Sequence, residues 1–208
     1  MKNKYSTQQE GFWAGEFGDS YTDRNAGLEI IASNLSLFSQ ILSRTSAISS
    51  IIEFGANRGL NVRALKQLKP NAQFQAVEIN EKAAGELKKL DWLEVHHKSL
   101  LEFKASKLSD LVLIKGVLIH LNPEVLPRVY ELLYQSSSKY ICLVEYYNPT
   151  PVSVPYRGHE DRLFKRDFAG EMMEKFNDLK LLDYGFVYHR DSNFPQGDLN
   201  WFVLEKHN

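Results

Sequence analysis

The chain has 208 residues, which is enough for one domain with a large core and too few for two ordinary domains with linkers. Its net charge of −1 gives no general attraction to nucleic acid or to an anionic membrane, so neither is an expected partner. The single cysteine, Cys142, cannot form an internal disulfide, which favours a reducing compartment and a cytoplasmic location. Residues 1–10 are polar, and no stretch reaches the ~18 apolar residues of a membrane span, so we expect neither a signal peptide nor a transmembrane segment.

The N-terminal segment mixes glycines with aromatic side chains over residues 11–21, a composition that suits neither a regular helix nor a regular strand. We therefore predict an irregular flap over residues 1–27; a packing arm whose rings cover apolar surface is the alternative. Asn25 is the candidate N-cap of a following helix. The apolar residues of that helix recur at spacings of three and four at Leu28, Ile31, Leu35, Phe38 and Leu42.

The middle of the chain alternates strands with helices. The predicted strands are 48–54, 74–78, 93–97, 110–115 and 140–145, and the predicted helices are 60–68, 81–90 and 123–136. Several of these strands are apolar throughout, which is typical of strands buried on both faces. The alternation predicts an α/β fold with a largely parallel sheet, helices around it and ligands at the carboxyl ends of its strands.

The last third of the chain changes character. Residues 148–162 contain three prolines and many polar groups, which predicts a long functional loop. A helix over 167–176 and two strands over 179–188 and 200–205 follow, and the polar segment between these strands predicts an antiparallel hairpin. The predicted organisation is a single domain with a flap (1–27), a core (28–145), a substrate loop (146–166) and a C-terminal helix and hairpin (167–208).

A short apolar run ends in Glu53 and is followed by a turn that contains Gly55 and Gly59. A phosphate-binding P-loop requires Lys-Ser/Thr after its second glycine, and Leu60-Asn61 stands there instead. The G-x-G-x-x-G spacing of dinucleotide-binding turns is also absent, which disfavours an NAD-dependent oxidoreductase. The remaining pattern, acid-x-Gly-x-x-x-Gly at the end of a strand, predicts a turn whose backbone approaches a ligand closely.

Glu78 closes the next strand, 23 positions after Gly55. A carboxylate at that place can accept hydrogen bonds from both hydroxyls of a ribose, and the offset is near the ~20 residues of one helical crossover. A solvated acid at a strand end is the alternative. One ligand would need both the turn and Glu78, so together they predict a nucleoside site.

The turn and Glu78 resemble the first motifs of the class I S-adenosylmethionine-dependent methyltransferases. The resemblance implies a Rossmann-like fold with a seven-stranded, mostly parallel sheet, an antiparallel C-terminal hairpin and helices on both faces, and it implies S-adenosyl-L-methionine as the cofactor. Ser99 stands where this family usually has an acid; it can still hydrogen-bond a base edge, and a turn cap is the alternative. The implied cofactor-binding residues are Tyr21, Arg24, Glu53, Gly55, Ala56, Asn57, Gly59, Glu78, Ile79, Ser99, Leu100, Lys115 and Gly116.

Three segments, residues 10–25, 53–59 and 146–162, together resemble the pseudaminic acid biosynthesis-associated methylases over nearly the whole chain. This narrower resemblance implies a small sugar-like substrate in nonulosonic-acid or surface-polysaccharide biosynthesis. It also implies that the flap folds over the cofactor, with Tyr21 or Arg24 near the cofactor's carboxylate.

His120 follows the fourth strand and is the candidate catalytic base, because a histidine that titrates near neutrality can take a proton from an attacking hydroxyl or amine. A hydrogen-bonded packing residue is the alternative. His96 and His97 lie within a strand and face opposite ways, so we expect no metal site there. The candidate substrate-binding residues, of which Glu145, Tyr147 and His159 are also substitute bases, are Glu145, Tyr146, Tyr147, Asn148, Tyr156, Arg157 and His159.

These features predict a methyltransferase that acts on oxygen or nitrogen of a small sugar-like molecule and works mainly by aligning the reactants and excluding water. Two rival hypotheses are a non-catalytic nucleoside-binding protein of a sugar-assembly pathway and a methyltransferase with a non-sugar acceptor. The sequence leaves the acceptor atom and the oligomeric state open.

Overall fold

The computed structural model describes residues 5–25 and 27–207. Its α-helices are α1 (Gln8–Ala14), α2 (Glu16–Arg24), α3 (Leu28–Leu42), α4 (Leu60–Leu68), α5 (Glu81–Leu87), α6 (Leu126–Ser136) and α7 (Phe168–Lys175). Its strands are β1 (Ser50–Phe54), β2 (Gln73–Glu78), β3 (Leu93–His97), β4 (Ser109–Lys115), β5 (Ser137–Glu145), β6 (Val152–Tyr156), β7 (His159–Lys165), β8 (Leu179–Val187) and β9 (Leu199–Lys206). Two short 3₁₀-helices, Leu118–His120 and Pro123–Val125, lie between β4 and α6.

The main sheet has seven strands in the order β3-β2-β1-β4-β5-β9-β8. The strands β1 to β5 are parallel to one another, whereas β9 pairs antiparallel with β5 and β8 pairs antiparallel with β9. The predicted mostly parallel sheet with an antiparallel C-terminal hairpin is therefore confirmed. Strand β1 pairs with both β2 and β4, so the strand order reverses at β1, and ligands of such sheets bind at this reversal.

Two apolar layers enclose the sheet. On one face the side chains of α3, α4 and α5 pack on strand residues such as Ile51 and Cys142, and on the other face α6 and α7 pack on residues such as Ile114 and Leu143. Neighbouring residues of a strand point to opposite faces, which is why the central strands are apolar at nearly every position. The predicted helices on both faces are confirmed.

The N-terminal segment differs from the prediction, since it is helical rather than an irregular flap. The pair formed by α1 and α2, called here the N-terminal helix pair, starts at a capping box in which the Glu10 backbone N–H donates to Thr7 Oγ1 (3.2 Å) and the Thr7 N–H donates to Glu10 Oε2 (2.9 Å). Gly18 lets α2 approach the end of α1 closely, because a Cβ at this position would lie 1.8 Å from the carbonyl oxygen of Trp13. The predicted flap extended over 1–27, and residues 1–4 and 26 of it lie outside the described residues.

Two further boundaries are corrected. Asn25 ends α2 and is not the N-cap of α3, a position that Gly27 occupies. The predicted loop over 148–162 contains the antiparallel hairpin of β6 and β7, whose strands pair from Val152 opposite Lys165 to Tyr156 opposite His159. Arg157 and Gly158 form its turn, and both have positive φ.

Among the described residues, no helix is both long enough and apolar enough to cross a membrane.

Gly59 is a position of the turn where a side chain should lower stability. Its φ is +85°, and a Cβ there would lie 2.7 Å from Leu87 Cδ2, so we expect Gly59→Ala to lower the free energy of unfolding by roughly 1–3 kcal/mol. The matched control is Gly85→Ala in α5, where, apart from the adjacent residues and the backbone of α5 itself, no heavy atom of the described residues lies within 4 Å of the added carbon. This change should raise stability by roughly 0.5–1 kcal/mol in the same urea titration. Equal effects of the two changes would contradict this assignment.

Candidate functional site

A cavity of about 550 Å³ lies along the carboxyl ends of β1 to β5, beneath the N-terminal helix pair. This is the edge at which sheets of this kind bind ligands. Many of the predicted site residues line it together: Tyr21, Gly55, Ala56, Asn57, Glu78, Ile79, Ser99, Leu100, Lys115, Gly116, His120, Tyr146 and Tyr156.

Glu78 is buried at the end of β2, and backbone groups fix its carboxylate. The Asn57 N–H donates to Oε2 (2.7 Å) and the Asn80 N–H donates to Oε1 (2.8 Å). Burial raises the pKa of Glu78, and the hydrogen bonds from these backbone groups oppose that rise. Each carboxylate oxygen can accept more than one hydrogen bond, so a fixed acceptor pair remains for a ligand's hydroxyls.

Several polar groups of the cavity wall lack a hydrogen-bond partner among the described residues. They are the Trp13 Nε1, Asn34 Nδ2 and Asn57 Nδ2 donors, all buried. Lys115 Nζ is close to one of them, because it donates to Asn34 Oδ1 (2.9 Å). Buried donors normally have acceptors, so this wall is suited to a ligand that supplies them.

The ends of β1, β4 and β5 carry three buried ionisable groups, Glu53, Lys115 and Glu145. Burial raises the pKa of both carboxyl groups and lowers that of the ammonium group, while the attraction between opposite charges opposes these shifts. Glu53 Oε1 accepts a hydrogen bond from Asn61 Nδ2 (2.6 Å). Glu145 Oε1 accepts the backbone N–H groups of Val117 (2.9 Å) and Leu118 (3.0 Å) and so fixes the segment that leads to His120.

The ring of His120 is buried, and its tautomer follows from its contact. Nδ1 lies 2.6 Å from the carbonyl oxygen of Arg162 in β7, and since a carbonyl only accepts, Nδ1 carries the proton. Burial lowers the pKa of His120 to about 4, and the carbonyl partly opposes this shift. The ring is therefore neutral at pH 7, with Nε2 unprotonated and able to accept a proton.

Aromatic rings surround His120 at this end of the cavity. The Trp13 ring of α1 lies 4.7 Å from the His120 ring, and the Tyr156 ring of β6 lies 4.8 Å from it. Tyr21 extends the group, with its ring 5.2 Å from that of Trp13. Burial raises the pKa of Tyr21, so its hydroxyl stays protonated at neutral pH. This end of the cavity is therefore lined by aromatic rings, and His120 lies among them with Nε2 unprotonated at pH 7.

Ser99 follows β3 and lines the cavity, but its hydroxyl proton is already used. Ser99 Oγ donates to Glu10 Oε1 and accepts the N–H of Leu101 (3.0 Å). Glu10 belongs to α1, lines the same cavity and is 6% exposed. The acidic side chain that contacts Ser99 in this structure thus comes from the N-terminal helix pair.

Other predicted residues do not line the cavity. Within the described part of the chain these are Arg24, Glu53, Gly59, Glu145, Tyr147, Asn148, Arg157 and His159. Arg24 lies over the Phe17 ring (5.8 Å) and Arg157 over the Tyr156 ring (5.7 Å). His159 packs its ring 5.0 Å from that of Phe12 and thereby joins the β6–β7 hairpin to α1. Tyr147 is exposed and Asn148 is half-buried, and their roles stay predictions.

The sequence analysis missed Glu10, Trp13, Asn34 and Asn61. Thr7 and Glu10 have the spacing of a capping box, a signal that predicts a helix start and would have placed Glu10 and Trp13 on the same short helix. No comparable signal exists for Asn34, which is a polar residue on an otherwise apolar helix face.

No group of three or more His, Cys, Asp or Glu side chains is placed to hold a metal ion in residues 5–25 and 27–207.

Comparison with known proteins places the fold. No protein-family model matches the chain, and no curated protein sequence matches it. Among solved structures, the 1,6-didemethyltoxoflavin-N1-methyltransferase of Burkholderia thailandensis, bound to 1,6-didemethyltoxoflavin and S-adenosylhomocysteine, has a TM-score of 0.74 at 11% identity and covers 100% of this chain and 94% of its own. The magnesium protoporphyrin IX methyltransferase of Synechocystis PCC 6803, bound to S-adenosylmethionine, has a TM-score of 0.68 at 12% identity and covers 99% and 100%.

The plantazolicin methyltransferase BpumL, in complex with S-adenosylhomocysteine, has a TM-score of 0.66 at 14% identity and covers 96% of this chain and 94% of its own. At sequence identities this low, the structural similarity establishes the fold alone. The chain has the Rossmann-like fold of the class I methyltransferases. The narrower resemblance to the pseudaminic acid-associated methylases is not confirmed.

Proposed function

We propose that this protein is an S-adenosylmethionine-dependent methyltransferase that acts on oxygen or nitrogen of a small sugar-like molecule, as one domain in the cytoplasm. One observation carries the proposal. The same cavity contains the Glu78 carboxylate, whose two fixed oxygens suit the hydroxyls of a ribose, and His120, a neutral histidine that can accept a proton. Structural neighbours of the same fold that bind S-adenosylmethionine or its product support it.

The residues of the cavity fit this cofactor. Glu78 would hold the ribose hydroxyls, and Lys115 with the unpartnered Asn34 amide would hold the carboxylate of the methionine part. At Gly116 an added Cβ would face open space, so the backbone there leaves room for the ligand. When bound, the cofactor supplies an electrophilic methyl group on a sulfonium. The chain's own task is then to orient the acceptor and to exclude water.

His120 would take the proton of the acceptor at Nε2. The Arg162 carbonyl holds the ring in the required tautomer, and the low pKa keeps it neutral over the physiological range. Glu145 would act as a positioning residue, because its carboxylate holds the backbone of Val117 and Leu118 next to this histidine.

The sugar-like acceptor rests on the narrower sequence resemblance and on the wall around His120. The rings of Trp13 and Tyr156 line the cavity beside His120 and would give the C–H groups of a sugar ring an apolar surface to pack on. The unpartnered Trp13 Nε1 donor is available to a hydroxyl oxygen. A place in nonulosonic-acid or surface-polysaccharide biosynthesis follows if that acceptor is correct.

A thermal-shift comparison tests the cofactor. S-adenosylhomocysteine at about 100 times its Kd should stabilise the protein by roughly 2.7 kcal/mol, whereas NAD at the same concentration should cause no shift. Stabilisation by NAD alone would contradict the proposal. Transfer of a labelled methyl group to sugars, compared with aromatic heterocycles, then tests the acceptor class, and binding without any transfer would favour the non-catalytic alternative.

A further inference from the structure

We propose that Glu10 of α1 selects the adenine base of the cofactor by accepting a hydrogen bond from its exocyclic amino group. This inference rests on the proposed function. It assigns to the N-terminal helix pair a direct role in recognising the cofactor, in addition to covering the cavity.

The first step concerns the direction in which a bound nucleoside extends. Its ribose is held at Glu78, at the end of β2. Strand β3 is the neighbour of β2 on the side away from β1, and the segment after β3 also lines the cavity at Ser99, Leu100 and Leu101. A nucleoside held at Glu78 can extend its base either over the β1 turn or to the end of β3, and we place the base at the end of β3, where the class I methyltransferases that the chain resembles contact adenine.

The second step concerns which group can recognise the base there. The hydroxyl proton of Ser99 is donated to Glu10 Oε1, so this serine cannot donate to the base. The carboxylate of Glu10 receives the Ser99 hydroxyl on Oε1 and the Thr7 backbone N–H on Oε2. Among the acidic side chains of the cavity wall, which are Glu10, Glu29 and Glu78, Glu10 is the one hydrogen-bonded to the segment after β3.

The third step matches the hydrogen-bond acceptors of the Glu10 carboxylate with the donors of the base. An ionised carboxylate has acceptors only, and the Ser99 hydroxyl satisfies just one of the sites on Oε1. The amino group of adenine is a donor and completes this arrangement. The oxygen at the same place in hypoxanthine is an acceptor, and it would face the carboxylate without a proton between them.

The experiment compares two ligands that differ at the exocyclic group and at the adjacent ring nitrogen N1, which is an acceptor in adenine and carries a proton in hypoxanthine. Calorimetry with S-adenosylhomocysteine and S-inosylhomocysteine, in which oxygen replaces the amino group, should show at least about a 10-fold preference of the parent protein for the adenosyl ligand. Glu10→Gln keeps the capping box, because glutamine serves there as well as glutamate, but it turns one acceptor into a donor. We expect the preference to fall below about 3-fold or to invert in this variant.

Thr7→Ala is the matched control. It removes Oγ1, which caps α1 and also lies 3.3 Å from Glu10 Oε2, but it keeps the Thr7 N–H and Ser99 hydroxyl that bind the Glu10 carboxylate, so it should weaken both ligands alike and keep the parent's preference. A parent that binds both ligands equally, a Glu10→Gln variant that keeps the full preference, or a Thr7→Ala variant that loses it would overturn the inference. A parent that binds neither ligand would instead overturn the proposed function on which it rests.

Discussion

Replacing Glu78 by alanine is expected to weaken the binding of S-adenosylhomocysteine at least about 100-fold, because two hydrogen bonds to a charged group, each worth roughly 1.5–3 kcal/mol, are lost. The same change removes the acceptors of the Asn57 and Asn80 backbone N–H groups, so the turn between β1 and α4 loses its anchor to β2. Isothermal titration calorimetry on folded protein measures the affinity directly.

The control for this prediction is Asp110→Ala. The Asp110 carboxylate also accepts backbone N–H groups, those of Ser49 (2.8 Å) and Ser50 (3.1 Å), but it lies at the opposite end of the sheet from the cavity. Both variants should be less stable than the parent, and only the Glu78 variant should lose the ligand. Equal affinity of Glu78→Ala and the parent would remove Glu78 from the site.

The second large effect is expected at His120. In His120→Asn the side-chain amide still reaches the Arg162 carbonyl, but the proton acceptor Nε2 is gone, so kcat with an acceptor found by methyl-transfer screening should fall about 10²–10³-fold. The affinity for S-adenosylhomocysteine should change little. In the parent, the rate should fall on the acid side as pH approaches the His120 pKa of about 4, because the protonated ring cannot accept a proton.

His96→Asn is the matched control for the histidine. His96 lies near Gln75 (3.3 Å between Nε2 and Oε1) and packs against Phe103, outside the residues that line the cavity. It should keep the parent's kcat. If His120→Asn also keeps it, His120 is a packing residue held between Trp13 and Tyr156, and the acceptor reacts without a base from this side chain.

The half of the site formed by the ends of β1 and β2 could be predicted from the sequence, because short sequence patterns mark those ends. An apolar run followed by Glu53 and two glycines identifies the end of β1, and the acid that closes the next apolar run identifies Glu78. In a parallel sheet these two ends must lie side by side, because consecutive strands run in the same direction. Strand periodicity and the crossover length were therefore sufficient for this half of the cavity.

The N-terminal helix pair could not be predicted from local propensity. Gly11, Gly15 and Gly18 lower the helical propensity of the segment, and the helices form because their side chains pack on other parts of the chain. Trp13 packs on His120, Thr22 Oγ1 donates to Asn57 Oδ1 (3.0 Å), and Asn80 Nδ2 donates to Asp19 Oδ1 (2.8 Å). These contacts join residues distant in sequence, which no short window contains.

The tautomer of His120 could not be predicted from the sequence either. It depends on the Arg162 carbonyl, 42 positions later, and that carbonyl is in place because residues 152–165 form a hairpin rather than the predicted loop. The prolines at positions 149, 151 and 155 favoured the prediction of a loop over that of a hairpin, because proline is disfavoured within strands. Pro155 is tolerated there because the β6–β7 sheet has only two strands, and both are edges.

The N-terminal helix pair also sets an order of events during folding. Its two helices have 7 and 9 residues, far below the ~12–15 at which an isolated helix begins to persist in water. They are synthesised before every strand on which they rest, and their hydrogen bonds reach forward by 35 residues to Asn57, 61 to Asn80 and 89 to Ser99. We therefore expect this pair to become helical only after the strand ends on which it rests have formed.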